Sequence, residues 1–259
     1  MTFHSCGDIR YFQFEHLGQG LVQAIFTRKG GVSPKPWDGL NLGSTVGDDI
    51  KNVRENRRRA LAAMGRSEGS VFDAWLVHGV NVVIADGPRK AEAPHVKADI
   101  ILTDKPGVTL MMRFADCVPI FLHDPVNKVI GITHAGWIGT VKNAARYAVE
   151  AMQHHFGSMF KDIRAGIGPS IGPDHYEVGP KVVDQVRVAF GSEASKLLPE
   201  IAGRINFDLW AANKLILEKA GVKQVEVAEV CTACHTEDWY SHRAEKGHTG
   251  RFGAIIALV

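Results

Sequence analysis

Apolar positions along this chain cluster into short runs rather than long amphipathic stretches. Val22–Thr27 alternates and stops at Arg28-Lys-Gly-Gly31, the pattern of a strand entering a turn. Val71–Val77, Val80–Ala85, Asp99–Leu102, Val108–Arg113, Val118–His123 and Val129–Thr133 are runs of strand length rich in β-branched residues. Ile163–Gly168, Val225–Val230 and Phe252–Val259 add three more. Helical spacing marks Ile50–Met64, Ile138–Phe156, Pro180–Phe190 and Asp208–Ala220. Asp48 or Asp49 suits the start of the first of these and Asp208 the start of the last, because a carboxylate accepts from free helix N–H groups. Gly221 suits a helix stop. Strands outnumber helices and often follow one another directly. That order predicts a compact α/β fold of layered mixed sheets flanked by helices, not a regular doubly wound one. Nothing marks an internal boundary, so residues 1–259 read as one domain.

Composition changes this picture little. The chain is 45% hydrophobic and 22% charged, an ordinary globular balance. A net charge of +2 argues against nucleic acid or a membrane surface as the main partner, though one or two arginines suffice to bind a phosphate. No apolar run reaches the roughly 18 residues of a membrane span. The first residues lack a basic-then-apolar leader, so the expected compartment is the cytoplasm. There the four cysteines are expected as thiols. Cys231-Thr-Ala-Cys234 has half the donors of a zinc site, but no second CxxC completes it, and it reads first as two structural thiols.

Three apolar runs end on potential metal donors. Val71–Val77 delivers His78-Gly79, Val108–Ala115 delivers Asp116-Cys117, and Val129–Thr133 delivers His134-Ala-Gly136. Strand ends are rigid and open onto a rim, which suits side chains that must be held to metal-binding tolerance. Two imidazoles and a thiolate suit zinc, and three protein donors leave a fourth position open, as catalytic sites do. Asp116 could then orient a histidine or carry a proton. The same residues also fit a buried thiol with two hydrogen-bonded histidines, so spacing leaves the choice open.

The wider pattern is more specific. Thr27-Arg-Lys-Gly-Gly-Val-Ser33, Leu40-Asn-Leu-Gly43, Val77-His-Gly79, Ala115-Asp-Cys-Val-Pro-Ile120, His134-Ala-Gly-Trp-Ile-Gly-Thr140, Ile167-Gly-Pro-Ser-Ile-Gly-Pro173 and Thr249-Gly-Arg251 occur in that order. Together they closely resemble the laccase-domain family, formerly the multicopper polyphenol oxidases, whose members are described as purine nucleoside phosphorylases with adenosine deaminase activity. The resemblance implies the laccase-domain, cytotoxic-necrotizing-factor-like fold. It implies zinc, rather than copper, on His78, Cys117 and His134. It also implies that the partners are purine nucleosides and phosphate: adenosine, inosine, guanosine and 5′-methylthioadenosine. Similar bacterial proteins have been linked to peptidoglycan precursors. Leu76, Ile138, His175 and Ser241-His-Arg-Ala244 depart from the common pattern, outside the ligand set.

Guanidinium groups match phosphate oxygens. Arg28 beside Gly30-Gly31, Arg57 on a basic helix face, Arg243 and Arg251 are the phosphate candidates, and Asn41 is a candidate for a sugar hydroxyl or a purine edge. In deamination, Cys117, His78 and His134 would serve the metal and Asp116 the proton. Three other readings stand beside this one: a metal-free Cys/His hydrolase or deamidase on the same residues with Cys117 as nucleophile, a copper-dependent polyphenol oxidase, and a non-catalytic binding protein.

Overall fold

The computed structural model describes residues 2–259. The chain opens with β1 (Thr2–Cys6), β2 (Ile9–Gln13), β3 (Leu21–Phe26) and helix α1 (Ile50–Ala63). Strands β4 (Val71–Asp73), β5 (Val82–Ile84), β6 (Ile100–Thr103), β7 (Thr109–Phe114), β8 (Val118–Asp124) and β9 (Val129–Ala135) follow. Then come α2 (Trp137–Val141), α3 (Ala144–Phe156), β10 (Arg164–Ile167), α4 (Pro180–Phe190) and α5 (Ala194–Leu197). The hairpin β11 (Glu200–Ile201) and β12 (Arg204–Ile205), helix α6 (Leu209–Lys219), β13 (Gln224–Val227) and β14 (Phe252–Leu258) complete the order.

The strands form two six-stranded mixed sheets, β1-β2-β3-β14-β7-β4 and β13-β10-β8-β9-β6-β5. Side chains alternate faces along a strand, and here both faces of the central strands of each sheet are covered. Leu110, Met112 and Phe114 of β7, Ala254 and Ile256 of β14, and Ile130 and Ile132 of β9 share one apolar cluster between the sheets. Met111 and Ile255, one residue out of phase, pack with Ala60 and Leu61 of α1. On the far side, Ile120 and Leu122 of β8 pack with Ala148, Val149 and Met152 of α3 and Leu217 of α6. The layers therefore run helix, sheet, sheet, helices, as the run of strand and helix patterns predicts.

Caps follow the expected chemistry. The Asp49 side chain accepts from Lys51 N, and the Asp208 side chain accepts from Ala211 N. Gly221 has φ of +100°, the left-handed value expected after a helix.

Several elements differ from the sequence pattern. The helix expected over Ile138–Phe156 is broken into α2 and α3, because Asn143 takes a left-handed φ of 63° between them. Only Val71–Asp73 of the Val71–Val77 run stays in the sheet. Asp73 is drawn to Arg89 and Arg113, and the chain departs at Ala74. The Val225–Val230 run ends early, where Glu229 turns at φ of 52°. Strands β1 and β2 have no clear apolar run, and every residue of β1 is exposed, as on an edge strand.

Four connections cross from one sheet to the other, and two of them, β4 to β5 and β7 to β8, build the site. β4 lies in the first sheet and β5 in the second, so residues 74–81 span the gap. The short link from β7 to β8, Ala115-Asp116-Cys117, does the same. Each of these two turns on a non-glycine residue with positive φ, His78 at 57° and Asp116 at 82°. Such backbone is sparsely populated and is held only where surrounding contacts enforce it.

Candidate metal centre

The crossings bring the three expected donors together. Donor atoms of His78, Cys117 and His134 all lie within 4.8 Å of one another. Strand parity explains two of them. His134 continues the file of Ile130 and Ile132 on the inter-sheet face of β9, and its ring packs on Phe114 with centroids 5.5 Å apart. β8 and β9 pair with Val118 opposite Ala135, so one step further Cys117 meets Gly136. A side chain at Gly136 would put its Cβ 2.9 Å from Cys117 Sγ and 3.4 Å from His78 Cδ2. The glycine after His134 is therefore required by space, since its own φ of −74° suits any residue.

The third strand end adds a residue that motif reading passes over. The backbone N–H of His134 donates to the Asp99 carbonyl at 2.8 Å. The Asp99 carboxylate contacts His134 Nδ1 at 2.9 Å and accepts from Val77 N at 3.1 Å, His78 N at 3.0 Å and Gly79 N at 2.7 Å. One fully buried carboxylate thus fixes both the left-handed His78 turn and the His134 ring. With Nδ1 engaged, His134 presents Nε2 to the cluster. Burial alone would raise the Asp99 carboxyl, but bonds from His134, Gly79 and Val77 together hold it below the ordinary value. In sequence, Asp99 reads only as the polar residue that opens a strand.

Charges within the cluster couple strongly. Burial pushes the Cys117 thiol up, but the charge of His134 and the hydrogen bonds of His134 and His78 outweigh it, bringing the thiol down to about 6. Burial likewise lowers the His134 imidazole, and Cys117 and Asp99 overturn that, lifting it to about 9. The site favours a thiolate beside positive charge. A divalent cation supplies that charge equally well, and two nitrogens with one sulfur are donors that zinc accepts.

Asp116, expected beside the metal, does not orient a histidine; Asp99 does. Asp116 Oδ1 accepts from Thr232 Oγ1 at 2.7 Å and Oδ2 from Arg243 N at 2.6 Å, so it ties the 232–243 loop to the Cys117 crossing. Tyr176, unremarked in sequence, lies close enough for Cys117 to raise its phenol beyond the effect of burial, and Arg243 stacks on its ring at 5.0 Å.

The substrate candidates separate. Arg251 lies near the donors: burial lowers its guanidinium, while Cys117 and Asp116 favour its charge. Its Nη1 donates to the Thr249 and Gly250 carbonyls. Arg57 donates from Nε and Nη2 to the Leu42 carbonyl, and burial followed by the nearby Arg113 brings it to about 10. Leu42 N in turn donates to the Arg251 carbonyl, so both arginines border the Asn41–Gly43 turn. Asn41 itself is fully buried. Its Oδ1 accepts from Gly43 N and Arg251 N, and its Nδ2 donates to Gly43 O and Asp48 Oδ2. That places it as the brace of this turn. Arg28 donates to Thr236 O, Asp38 O and Glu245 Oε1 and stacks on Tyr240 at 4.5 Å, none of them a member of the donor cluster.

Residues 22–259 match the family described as multi-copper polyphenol oxidoreductase laccase. The chain belongs to this family. Among its laccase-family relatives, a purine nucleoside phosphorylase from Deinococcus radiodurans is 41% identical over 92% of this chain and 89% of its own length. One from Escherichia coli, purine nucleoside phosphorylase YfiH, is 31% identical over 93% and 95%. The solved structure of YlmD from Geobacillus stearothermophilus superposes with a TM-score of 0.92 at 34% identity, covering 99% of this chain and 98% of that one. That likeness extends the laccase-family assignment to the whole two-sheet architecture. No helix among the described residues is long and apolar enough to cross a membrane.

Proposed function

We propose that this chain is a zinc-dependent phosphorylase of purine nucleosides that also deaminates adenosine, working as one domain in the cytoplasm. Its substrates in this reading are adenosine, inosine, guanosine and 5′-methylthioadenosine, with phosphate as co-substrate. The relatives named purine nucleoside phosphorylase support the reaction class. The observation that carries the reading is the set of three converging donors, His78, Cys117 and His134, backed by Asp99. Three protein donors leave one coordination position for chemistry. Zinc held there supplies Lewis acidity at that position.

The chain's own groups would do the rest. Asp99 keeps the His134 ring in one orientation and one tautomer. Arg251, with Arg57 across the Asn41–Gly43 turn, supplies positive charge for phosphate beside the donors. Asp116, held between Thr232 and Arg243, is the group assigned to carry the proton in deamination. The deciding experiment is a nucleoside panel with and without phosphate, run beside zinc stoichiometry. Phosphate-dependent release of free purine and ribose 1-phosphate, lost in Cys117→Ala, is the expected result. Wild-type rates in that variant would overturn it.

A second reading draws on the lowered Cys117 thiol: a thiolate nucleophile with His134 as its base. Full activity in zinc-free protein, abolished by alkylating Cys117, would establish it instead. Multicopper chemistry has less support. Among the described residues, the donor clusters contain His78, His134 and His175, not the closely spaced histidine pairs that several coppers require.

A further inference from the structure

Away from the metal centre, the CxxC that sequence reads as an incomplete site finds its other half across the fold. The loop after β10 carries Asp174 and His175 up to Cys231 and Cys234. The geometry points to a second zinc site, formed by Asp174, His175, Cys231 and Cys234, with a structural role distinct from the His78–Cys117–His134 centre.

Distances carry the argument. Zinc binds sulfur at about 2.3 Å and nitrogen or oxygen at about 2.0–2.2 Å, so the edges of its tetrahedron run from about 3.3 to 3.8 Å. Here His175 Nδ1 lies 3.8 Å from Cys231 Sγ and 3.4 Å from Cys234 Sγ. Asp174 Oδ2 lies 3.1 Å from Cys234 Sγ and 3.0 Å from His175 Nδ1. All four donors fall within 4.8 Å of one another. Four of the six donor separations thus lie within a few tenths of an ångström of the ion's own cage.

The surrounding backbone is built for it. Gly172 N donates to Cys231 Sγ at 3.2 Å. A Cβ at Gly172 would come within 2.6 Å of Asp174 Oδ1 and 3.1 Å of Cys231 Cβ, so only glycine lets this loop close on the cysteine. Cys231 is pinned by its bridge to Ser170, and Thr232 N donates to Ser170 O at 3.0 Å. Two sulfurs, an imidazole and a carboxylate fill the coordination sphere, which is the arrangement of a structural rather than a catalytic zinc.

The position gives the clip its purpose. Thr232, between the two cysteines, donates to Asp116, and Asp116 adjoins Cys117. Arg243 donates to the His175 and Glu177 carbonyls and, through its backbone, to Asp116. A zinc here locks the 171–177 and 231–243 loops together and fixes the Asp116 side of the first centre.

Zinc counting tests this directly. After dialysis against metal-free buffer, wild-type protein is expected to hold about two zinc ions per chain. Cys117→Ala and the double variant Cys231→Ser/Cys234→Ser should each retain about one. Cobalt added to zinc-free Cys117→Ala should give a thiolate-to-metal charge-transfer band, and Asp174→Asn in that background should weaken cobalt binding with unchanged circular dichroism. No thiolate–cobalt band in folded Cys117→Ala overturns the site. So does a Cys231–Cys234 disulfide in protein freshly purified under reducing conditions. The cobalt readouts use protein without Cys117, and none of these measurements depends on whether the first centre runs nucleoside chemistry.

Discussion

Asp99 holds the Nδ1 of His134 at 2.9 Å while its carboxylate also collects three consecutive backbone N–H groups around His78. A single side chain therefore sets the position of two donors that lie on different elements. Replacing it changes the frame of the centre without removing a ligand. Asp99→Asn keeps the size but turns one acceptor oxygen into a donor facing N–H groups. Zinc affinity at the first centre should fall about 10- to 100-fold. Competition with a chromophoric chelator, with circular dichroism as the fold control, measures it. Unchanged affinity would mean that Asp99 serves only the backbone.

Gly136→Ala tests the space beside Cys117. Its Cβ would meet Cys117 Sγ at 2.9 Å, closer than real contacts allow. The backbone there suits alanine, so the fold should survive while the first centre loses zinc. Metal content and thermal unfolding, read together, separate the two effects. Full zinc occupancy in this variant would show that the sulfur can move aside.

In metal-free protein, Cys117 should stay a thiolate to unusually low pH. Its value is depressed, so the reactive anion persists above about 6 and is lost as pH falls through that value. An unperturbed thiol would already be protonated below about 8.5. Iodoacetamide labelling of the zinc-free chain across pH 5–9 follows the titration, and added zinc should protect the thiol. A midpoint near the unperturbed value would remove the electrostatic coupling to His134.

Asp73 gives a stability test away from the centre. Its nearly buried carboxylate meets Arg89 at 2.8 Å and Arg113 at 2.7 Å. Burial would raise the carboxyl, but Arg113, then Arg89 and His95, pull it far below the ordinary range. Because the folded value is depressed, this stabilisation is complete above the unfolded carboxylate value of about 3.9 and fades as pH falls below it. Removing one partner of a buried ion pair costs about 3–5 kcal/mol. The arginines here keep some contact with water, so about 2–3 kcal/mol is expected for Asp73→Asn at pH 7. Urea unfolding of both proteins at pH 7 and pH 3 should show the gap closing on acidification.

Arg251→Met should raise the phosphate KM of phosphorolysis by at least about tenfold, the loss expected for a charge-assisted contact. Adenosine deamination, which uses no phosphate, should change much less. Equal losses in both reactions would place Arg251 in general support of the centre.

How much of this was legible in sequence depends on what each residue does. His78, Cys117 and His134 stand out because a polar donor at the end of an apolar run breaks the pattern of its strand. Asp99 also ends a strand, but an acid before Ile100 looks like ordinary punctuation, and its four partners come from distant positions. The CxxC was visible and its completion was not, since Asp174-His175 resembles a polar turn and reaches Cys231 only through the pairing of β10 with its neighbours. The break at Asn143 was hidden because Lys142 and Asn143 fit the polar face of a continuous helix. Edge strand β1 lacked a signal because none of its side chains is buried. Asn41 could be read as a turn residue or a substrate contact, and only its complete set of internal bonds shows the first of these roles.

Strand β14 lies between β3 and β7 in the first sheet, and those two strands meet only through it. During synthesis, Cys117 and His134 leave the ribosome long before residues 252–258. Until those residues arrive, the sheet that anchors the β7 side of the Cys117 crossing has a gap at its middle. A chain cut before β14 is therefore expected to lack the strand on which the β7 side of the Cys117 crossing rests.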